Sequence, residues 1–409
     1  MQLIVQKFGG TSVVSAETRQ LAAQKIAKAC AQGYSPVVVV SAMGRKGDPY
    51  ATDTLLNLVK STNKNVASRE LDQIMICGEI ISAVVMAATL QAAGLDAIAL
   101  TGGQAGITTD DHFNNARILQ INPATLLGYV EEGKIPVVCG FQGMTMDGLF
   151  TTLGRGGSDT SASALGAALG AEKVEIYTDV DGIMTADPRI VNDAKILDTV
   201  SYEEICQLAH QGAKVIHPRA VEIAMQKNIP LVIKSTFSDA PGTLITNISS
   251  EDAGAEQTVT DRIATGVTYL QSIAQLTVQL GPAHSQQASF SVFKALAERG
   301  INVDLININP GEIRFTLHQD NLEQAVTVLQ QLGYSIQAEP NCAKVSVVGG
   351  GMREVPGVMA SFVEALVLNN IAILQTVDSD ATISALIKKM DVEKAVKALH
   401  ETFELGKIS

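Results

Sequence analysis

Two short polar segments combine residue types that could bind and transfer a phosphoryl group. The first, residues 7–12 (KFGGTS), places a cation and two glycines directly after the apolar run at residues 3–5. Glycines let the backbone approach an anion closely, and a lysine adds positive charge at the same place. The second, residues 154–159 (GRGGSD), begins an Ala-rich helical stretch. Together they predict a site for phosphate and carboxylate groups.

These segments differ from the two commonest phosphate-binding loops. The first apolar run is not followed by G-x-G-x-x-G, and G-x-x-x-x-G-K-[ST] does not occur in the sequence. The six histidines are scattered without metal-ligand spacing, and we interpret His217 as structural. The sequence shows no obvious His or Cys nucleophile.

The elements that must position these residues are predicted by hydrophobic patterning up to about residue 245. Short apolar runs alternate with helical stretches, which predicts a mostly parallel sheet with helices on both faces. The predicted strands are residues 37–40, 97–100, 136–138, 174–177 and 230–233. Active sites of such sheets lie at the carboxyl ends of strands. The loops that follow these strands begin at Lys7, Ser41, Thr101, Gly140 and Thr178.

The composition restricts the class of protein. A chain of 409 residues that is 46% hydrophobic and 18% charged predicts two or three globular domains. A net charge of −12, no Trp and 4% aromatic residues argue against nucleic acid or an anionic membrane as partner. We interpret the five cysteines, which include no C-x-x-C pair, as reduced core thiols of a cytoplasmic protein. The most apolar helical stretch, residues 80–90, is predicted to be too short to span a bilayer.

The end of the sequence contains an internal repeat. Residues 246–262 are polar and predict a linker. Beyond it, Ile301 matches Ile371 and Ile313 matches Ile383, each pair 70 residues apart (371−301 and 383−313). The two copies are predicted at residues 263–341 and 342–409. We predict that an extra strand at residues 264–270 pairs with the second copy, so that the first copy is inserted within it.

The segments at residues 7–12, 154–159 and 178–189 (TDVDGIMTADPR), in this order, resemble those of the aspartate kinase family. The resemblance covers essentially the whole chain. It implies an amino-acid-kinase fold at residues 1–245, a three-layer αβα sandwich with a mostly parallel sheet, followed by two α+β ferredoxin-like ACT domains. It implies transfer of the γ-phosphoryl group of ATP, with Mg²⁺, to the side chain of L-aspartate. That carboxylate, with a pKa of about 3.9, is already ionised at neutral pH, so no general base is needed.

The resemblance also implies roles for individual residues. Lys7 is expected to contact the transferring phosphoryl group, and Asp159 to orient Lys7. The residues expected to bind aspartate are Thr52, Glu79, Arg155, Gly156, Gly157 and Ser158. Those expected to bind ATP are Lys7, Phe8, Gly9, Gly10, Ser41, Thr178, Asp179, Met184, Asp187, Arg189 and Lys214. Those expected to bind a regulatory amino acid are Ser285, Asn302, Val303 and Asp304.

Residue chemistry supports some of these roles and leaves others open. Arg155 would hold the α-carboxylate of aspartate as a bidentate fork, and Glu79 would hold its α-amino group. Ser158 could face an anion or could cap the helix that follows. No carboxylate pair stands out as a dedicated Mg²⁺ site, so the ATP phosphates are expected to hold most of the ion.

Several alternatives stay open from the sequence. A kinase of the same fold could act on glutamate, acetylglutamate, carbamate or UMP, although Glu79 with Arg155 favours an acceptor with free amino and carboxyl groups. A silent amino-acid sensor would require loss of Lys7 or Asp159, and both are present. The effector could be lysine, threonine, both, or meso-diaminopimelate, and residues 42–53 look most like the diaminopimelate-sensitive bacterial type. A homo-oligomer formed through the ACT domains is expected.

Overall fold

The computed structural model of the chain describes residues 2–247, 262–280, 286–352 and 355–407. Their contacts define two compact units. The first contains the described parts of Met1–Ile183, Ile196–Ala209 and Lys214–Gln257, and the second those of Met184–Lys195, His210–Ala213 and Thr258–Ser409. Two short segments from within residues 1–245 thus belong to the second unit. The predicted domain boundaries stay a prediction.

The first unit contains twelve strands and eight helices among its described residues. The strands are β1 (Gln2–Phe8), β2 (Tyr34–Val40), β3 (Ala97–Leu100), β4 (Ile107–Thr109), β5 (Ile118–Ile121), β6 (Ile135–Cys139), β7 (Gln142–Met144), β8 (Phe150–Thr152), β9 (Lys173–Thr178), β10 (Thr199–Ser201), β11 (Leu231–Ser235) and β12 (Thr243–Thr246). The helices are α1 (Gly10–Val13), α2 (Ala16–Ala31), α3 (Thr52–Thr62), α4 (Ser68–Ala92), α5 (Ala124–Glu131), α6 (Gly157–Leu169), α7 (Tyr202–His210) and α8 (Pro218–Gln226).

The main sheet of the first unit is mostly parallel, as predicted. Its order is β10-β12-β11-β9-β1-β2-β6-β3, and the strands from β11 to β3 are all parallel to one another. β12 runs antiparallel to β11. All five strands predicted from apolar runs are present. A strand that is covered on both faces is apolar at every position, and residues 37–40 are completely buried.

Helices cover both faces of this sheet and make three layers. On one face, Ile26 of α2 and Met86 of α4 pack against Phe8 and Val38. On the other face lies α6, which approaches β9 so closely that a Cβ on Gly166 would lie 2.4 Å from Val174 Cγ2. The αβα sandwich is therefore confirmed. A smaller sheet of order β5-β4-β7-β8 was not predicted, because its strands have three or four residues.

Helix α4 is longer than the sequence pattern predicts. It has 25 residues instead of the 11 expected, and by length and composition it could cross a membrane. Half of its most apolar window is buried within the protein, however. It also contains two buried acids, Asp72 and Glu79, and it packs against β3, β6 and β8. We therefore describe α4 as a core helix of the first unit.

The second unit is built on one six-stranded antiparallel sheet. Its strands are β13 (Gly266–Gln279), β14 (Val303–Asn309), β15 (Glu312–His318), β16 (Ser335–Val348), β17 (Gln375–Ser379) and β18 (Thr382–Lys388), in the order β14-β15-β13-β16-β18-β17. Its helices are α9 (Gln286–Ala297), α10 (Leu322–Gln331), α11 (Val358–Leu368) and α12 (Val392–Thr402).

The two sequence copies share the long strands β13 and β16. Residues 273–279 of β13 pair with β15 and with the first half of β16. The earlier part of β13, residues 266–270, pairs with residues 344–348 in the second half of β16. An irregularity near Ser272, whose φ is 62°, separates the two parts. The fourth strand of the second copy thus precedes the first copy in the chain, which is the predicted insertion.

Candidate active site

A cavity of about 290 Å³ lies beside the carboxyl ends of β1, β2 and β6 in the first unit. All eight residues predicted to be catalytic or to bind aspartate line it, and so do three of those predicted to bind ATP, of which Lys7 belongs to both sets. The lining residues are Lys7, Gly10, Ser41, Ala42, Gly44, Thr52, Glu79, Phe141, Gly154, Arg155, Gly156, Gly157, Ser158 and Asp159.

Lys7 and Asp159 form an ion pair in this cavity. Lys7 is near the end of β1 and Asp159 is in the first turn of α6, where the helix dipole favours a negative charge. Lys7 Nζ lies 2.7 Å from Asp159 Oδ1, and the two side chains are 11% and 13% exposed. A lysine ammonium held by one carboxylate keeps a fixed position, which agrees with the predicted orienting role of Asp159.

Glu79 places an unpaired carboxyl group against the cavity. Its side chain is 2% exposed, and Oε1 accepts a hydrogen bond from the Ala42 N–H at 3.2 Å. Oε2 has no hydrogen-bond partner among the described residues. Burial raises the pKa of Glu79 to about 8, against the opposing effect of backbone hydrogen bonds. A buried carboxyl with one unsatisfied oxygen suits a ligand that brings a cation.

Arg155 lies at the opening of the cavity. Its side chain is exposed, and no ion pair involves it within the described part of the chain. The turn around it needs glycine, because Gly154 and Gly156 have φ values of 77° and 65°. A Cβ on Gly156 would lie 2.2 Å from His217 Cβ. His217 also caps α8 by accepting from the Arg219 N–H, which supports its structural interpretation.

Ser158 does not cap the helix that follows it. Helix α6 begins at Gly157, and its N-cap is Gly156, which has no side chain to make a capping hydrogen bond. The capping alternative is therefore wrong, because Ser158 already lies within the first helical turn. Its side chain lines the cavity instead.

Two predicted nucleotide-binding residues are engaged elsewhere. Phe8 is completely buried and stacks on Tyr177, with ring centroids 4.7 Å apart, so its side chain belongs to the core. The Gly9 N–H donates to the Tyr177 carbonyl at 3.2 Å. The role of both residues in ATP binding stays a prediction. Gly10 lines the cavity, and a Cβ there would lie 2.6 Å from the Gly44 carbonyl oxygen.

The other residues predicted to bind ATP are outside the cavity lining. Thr178 ends β9, and Asp179 follows it and pairs with Arg45 at 2.5 Å. Lys214 is an exposed residue of the first unit. Met184, Asp187 and Arg189 belong to the second unit. There the hydrogen bonds from Arg189 hold the pKa of Asp187 below its ordinary value, and the Tyr269 hydroxyl also donates to Asp187. Their role in nucleotide binding stays a prediction.

The predicted effector residues lie at the start of β14, except Ser285, which is outside the described residues. Asn302 is exposed and Val303 is half-buried. The Asp304 carboxylate lies 2.5 Å from Lys344 Nζ. Burial opposes ionisation of Asp304, but Lys344 outweighs it and holds the pKa of Asp304 below its ordinary value. Lys344 therefore already supplies a cation to Asp304 within the second unit.

Sequence reasoning missed four cavity residues and one buried acid. Ala42 and Gly44 follow β2, and Phe141 follows β6, so the rule that sites lie at strand ends could have found them. Phe141 has a φ of 69°, which no sequence pattern announces. The acid is Asp72 of α4, which is completely buried. The five cysteines are unpaired as predicted, but only Cys139 and Cys342 are buried.

The mostly parallel αβα sandwich, with a lysine and glycine turns at its strand ends, defines a small-molecule kinase of the amino-acid-kinase class. Residues 2–235 match the amino acid kinase family, and residues 337–401 match the ACT domain. Over its full length the chain is 50% identical to aspartokinase 1 of Bacillus subtilis, and the match covers 100% of both chains. It is 42% identical over 412 residues to an aspartokinase of Geobacillus stearothermophilus, covering 99% of this chain and 98% of that one.

Solved structures give the same result. Escherichia coli aspartokinase III in complex with aspartate and ADP matches with a TM-score of 0.79 and 25% identity, covering 98% of this chain and 99% of that chain. The chain belongs to the aspartokinase family. It is an enzyme that phosphorylates the side-chain carboxylate of L-aspartate, and its ACT domain provides allosteric regulation by an amino acid. Other acceptors and a silent sensor are therefore set aside.

Proposed function

We propose that the cavity of the first unit is the site where L-aspartate is bound and phosphorylated. Three groups on one cavity carry this proposal: Lys7, the Glu79 carboxyl, whose Oε2 has no hydrogen-bond partner among the described residues, and the Arg155 guanidinium, which makes no ion pair there. Aspartate has one ammonium and two carboxylates. Glu79 would bind the ammonium and Arg155 the α-carboxylate, which leaves the side-chain carboxylate to face Lys7.

Lys7 would then lower the repulsion between the aspartate carboxylate and the γ-phosphate of ATP. Two anions must meet in line for phosphoryl transfer, and a positioned cation stabilises the charge that builds up between them. Because Asp159 holds Lys7 at 2.7 Å, the ammonium is in place before the substrates bind. Thr52, Ser158 and the N–H groups of Gly156 and Gly157 would complete the aspartate site.

ATP is proposed to bind next to this pocket through Gly10, Ser41, Thr178, Asp179 and Lys214 of the first unit. The described residues contain no cluster of three His, Cys, Asp or Glu side chains that could hold a metal ion. Mg²⁺ is therefore proposed to enter on the ATP phosphates, where it would neutralise charge on the transferring group. Escherichia coli aspartokinase III binds aspartate and ADP, which supports this nucleotide chemistry.

Two analogues of aspartate test the aspartate site. The assay is ATP- and Mg²⁺-dependent acyl-phosphate formation, trapped with hydroxylamine. N-acetyl-L-aspartate lacks the ammonium and β-alanine lacks the α-carboxylate, and each leaves the reacting carboxylate intact. Both should lose about 100-fold or more in kcat/KM, because one buried or bidentate contact is lost in each. Equal turnover of N-acetyl-L-aspartate would remove the role of Glu79, and equal turnover of β-alanine that of Arg155.

The second unit is proposed to bind an end product of the amino-acid biosynthesis that begins with phosphorylation of aspartate. Lysine, threonine and meso-diaminopimelate are the candidates, and Asn302, Val303, Asp304 and Ser285 are the proposed contacts. An Escherichia coli aspartokinase III structure contains lysine and aspartate. The assay above, repeated with each compound at saturating ATP, identifies the effector as the one that suppresses turnover. Inhibition by none of them would contradict this part of the proposal.

The proposed organisation is a catalytic domain at residues 1–245, a linker at 246–262 and ACT domains at 263–341 and 342–409.

We propose a homo-oligomer, since the edge strands β14 and β17 expose Ile306, Ile308 and Val377. Light scattering after size exclusion would give the number of subunits. A cytoplasmic location is proposed, supported by five cysteines without a disulfide.

A further inference from the structure

Helix α4 carries two buried acids on one face. Asp72 and Glu79 are seven residues apart, which is two helical turns, or about 10 Å along the axis. Their side chains are 0% and 2% exposed. Glu79 lines the cavity, whereas Asp72 does not. Nothing in the phosphoryl-transfer chemistry requires a second buried carboxylate here, so the contacts of Asp72 need an explanation.

The hydrogen bonds of Asp72 go to the end of strand β8, at Thr152, and to the loop that contains Asn114. The Thr152 N–H donates to Asp72 Oδ2 at 2.9 Å, and the Thr152 hydroxyl donates to Oδ1 at 2.7 Å. The Asn114 N–H lies 3.0 Å from both oxygens. Burial raises the pKa of Asp72, and these hydrogen bonds oppose that rise. Three donor groups converge on one carboxyl, which therefore fixes both the end of β8 and the Asn114 loop to α4.

Thr152 is three residues before Arg155. The backbone N–H and carbonyl groups of Thr152 and Leu153 all make hydrogen bonds. The Thr152 carbonyl accepts from the Ala116 N–H at 2.9 Å. The Leu153 N–H donates to the Phe141 carbonyl at 2.8 Å, and Arg219 donates to the Leu153 carbonyl at 2.7 Å. Arg155 itself is exposed. The guanidinium thus extends from a rigid base.

We propose that Asp72 is a positioning residue for aspartate binding, which sets the place of Arg155 through Thr152. The proposal rests on the proposed role of Arg155 as the α-carboxylate clamp. Helix α4 then holds both recognition groups of the substrate: Glu79 directly, for the ammonium, and Arg155 through Asp72, for the α-carboxylate. Because both acids lie on one rigid helix face, the spacing between the two groups is fixed before aspartate enters.

The alternative is that Asp72 only stabilises the fold. The two alternatives differ in what a substitution does to the kinetic constants. A structural role predicts a loss of active enzyme that affects aspartate and ATP alike. A positioning role predicts a selective rise in KM for aspartate, since only the clamp on its α-carboxylate moves.

The first test is Asp72→Asn, which keeps the size of the side chain but turns one acceptor oxygen into a donor that faces N–H groups. We expect KM for aspartate to rise roughly 10-fold or more, with KM for ATP changed less than about twofold. Glu70→Gln is the matched control, because Glu70 is on the same helix and its side chain is 52% exposed. A rise in both KM values, or in neither, would overturn the proposal.

A double-mutant cycle with Arg155→Ala shows whether Asp72 acts through Arg155. In the Arg155→Ala background, Asp72→Asn should change kcat/KM for aspartate less than about twofold, because the clamp is already absent. Full additivity of the two changes would overturn the inference. If Arg155→Ala alone leaves KM for aspartate unchanged, the proposed role of Arg155 fails instead, so the two failures are distinguishable.

Thr152→Val serves if Asp72→Asn does not fold. It removes the hydroxyl that donates to Asp72 and leaves the Thr152 N–H hydrogen bond in place. We expect a smaller rise in KM for aspartate, again without a change in KM for ATP and again absent in the Arg155→Ala background. An unchanged KM for aspartate in a folded Thr152→Val enzyme, shown by an unaltered circular dichroism spectrum, would count against the proposal.

Discussion

The aspartate cavity of the first unit and the β14 region of the second unit treat charged side chains in opposite ways. In the cavity, the Glu79 carboxyl has an oxygen without a partner among the described residues, and Arg155 makes no described ion pair. At β14, Asp304 is already paired with Lys344, whose side chain is 6% exposed. The charged groups of the cavity are therefore available to a ligand, whereas those at β14 are paired with each other. We call the cavity the open site and the β14 region the closed site.

This difference indicates how each region meets its ligand. A buried polar group without a partner is costly, so the free enzyme keeps Glu79 uncharged at neutral pH until a substrate ammonium arrives. A ligand that binds at β14, as we propose for the effector, would have to separate an ion pair. A free amino acid can do so, because its ammonium can replace Lys344 at Asp304. The catalytic site is thus prepared for its substrate, and the β14 site is expected to bind by competition.

The largest effect is expected for Lys7→Met, which removes the cation of the open cavity. We expect kcat to fall roughly 10²–10³-fold, because charge that develops during phosphoryl transfer loses its positioned partner. KM for aspartate should change little, since its ammonium and α-carboxylate are held by other groups. The measurement is steady-state acyl-phosphate formation, with Lys28→Met, at an exposed lysine, as the control. A variant that keeps wild-type kcat would show that Lys7 is not the phosphoryl contact.

The next effect concerns Glu79 and the pH. With a pKa of about 8, Glu79 is protonated in the free enzyme near neutral pH and must ionise to bind the ammonium of aspartate. KM for aspartate should therefore fall as the pH rises toward 8, by up to about tenfold per pH unit. Glu79→Gln should raise KM roughly 100-fold at the upper end and abolish this pH dependence. A wild-type KM that is flat over this range would contradict the assignment.

Glu79 also gives a prediction for stability, with a definite sign. Its pKa is raised from 4.5 in the unfolded chain to about 8 in the folded protein, so the folded state binds more protons between these values. The free energy of unfolding should therefore fall as the pH rises through this range. Glu79→Gln removes that loss, so the variant should melt at a higher temperature than the wild type above pH 8. Glu70→Gln should not, and a lower melting temperature for Glu79→Gln would contradict the burial argument.

Arg155→Lys should have a more moderate effect, because it keeps the charge and removes the bidentate geometry. We expect KM for aspartate to rise roughly 10-fold while kcat changes less than about threefold. β-Alanine, which has no α-carboxylate, should be used equally well by the variant and the wild type. A loss of β-alanine turnover would mean that Arg155 acts on another group.

The parallel sheet could be predicted from local apolar runs, and most of the cavity from the short contiguous segments that carry the family resemblance. Completely buried strands are continuous apolar runs. Glycine is required at Gly10 by the nearby Gly44 carbonyl oxygen, and at Gly156 by its positive φ and the adjacent His217 side chain. What could not be predicted depends on contacts distant in the sequence. Asp72 meets Thr152 across 80 residues, and Lys344 meets Asp304 across 40. The engagement of the Gly9 N–H by Tyr177 is another such contact. Asp304 was therefore predicted as an effector contact without its ion-pair partner Lys344.

The smallest effect, and the one that tests the closed region, is expected at Lys344. Lys344→Met removes the internal competitor for Asp304, so the effector concentration for half inhibition should fall by about two- to fivefold. Asp304→Asn should act in the opposite direction and raise it, since the effector ammonium loses its partner. Both variants should keep the wild-type kcat without effector, because neither residue touches the catalytic cavity.

Opposite signs for the two variants are the decisive feature of this last experiment. A role of the ion pair in folding alone would weaken inhibition in both variants, and a region unrelated to the effector would change neither. Asp378→Asn, at an exposed position of β17, is the control for a change of surface charge in the same sheet. If Lys344→Met and Asp304→Asn shift inhibition in the same direction, the effector does not compete with Lys344, and the contrast between an open catalytic site and a closed regulatory site fails.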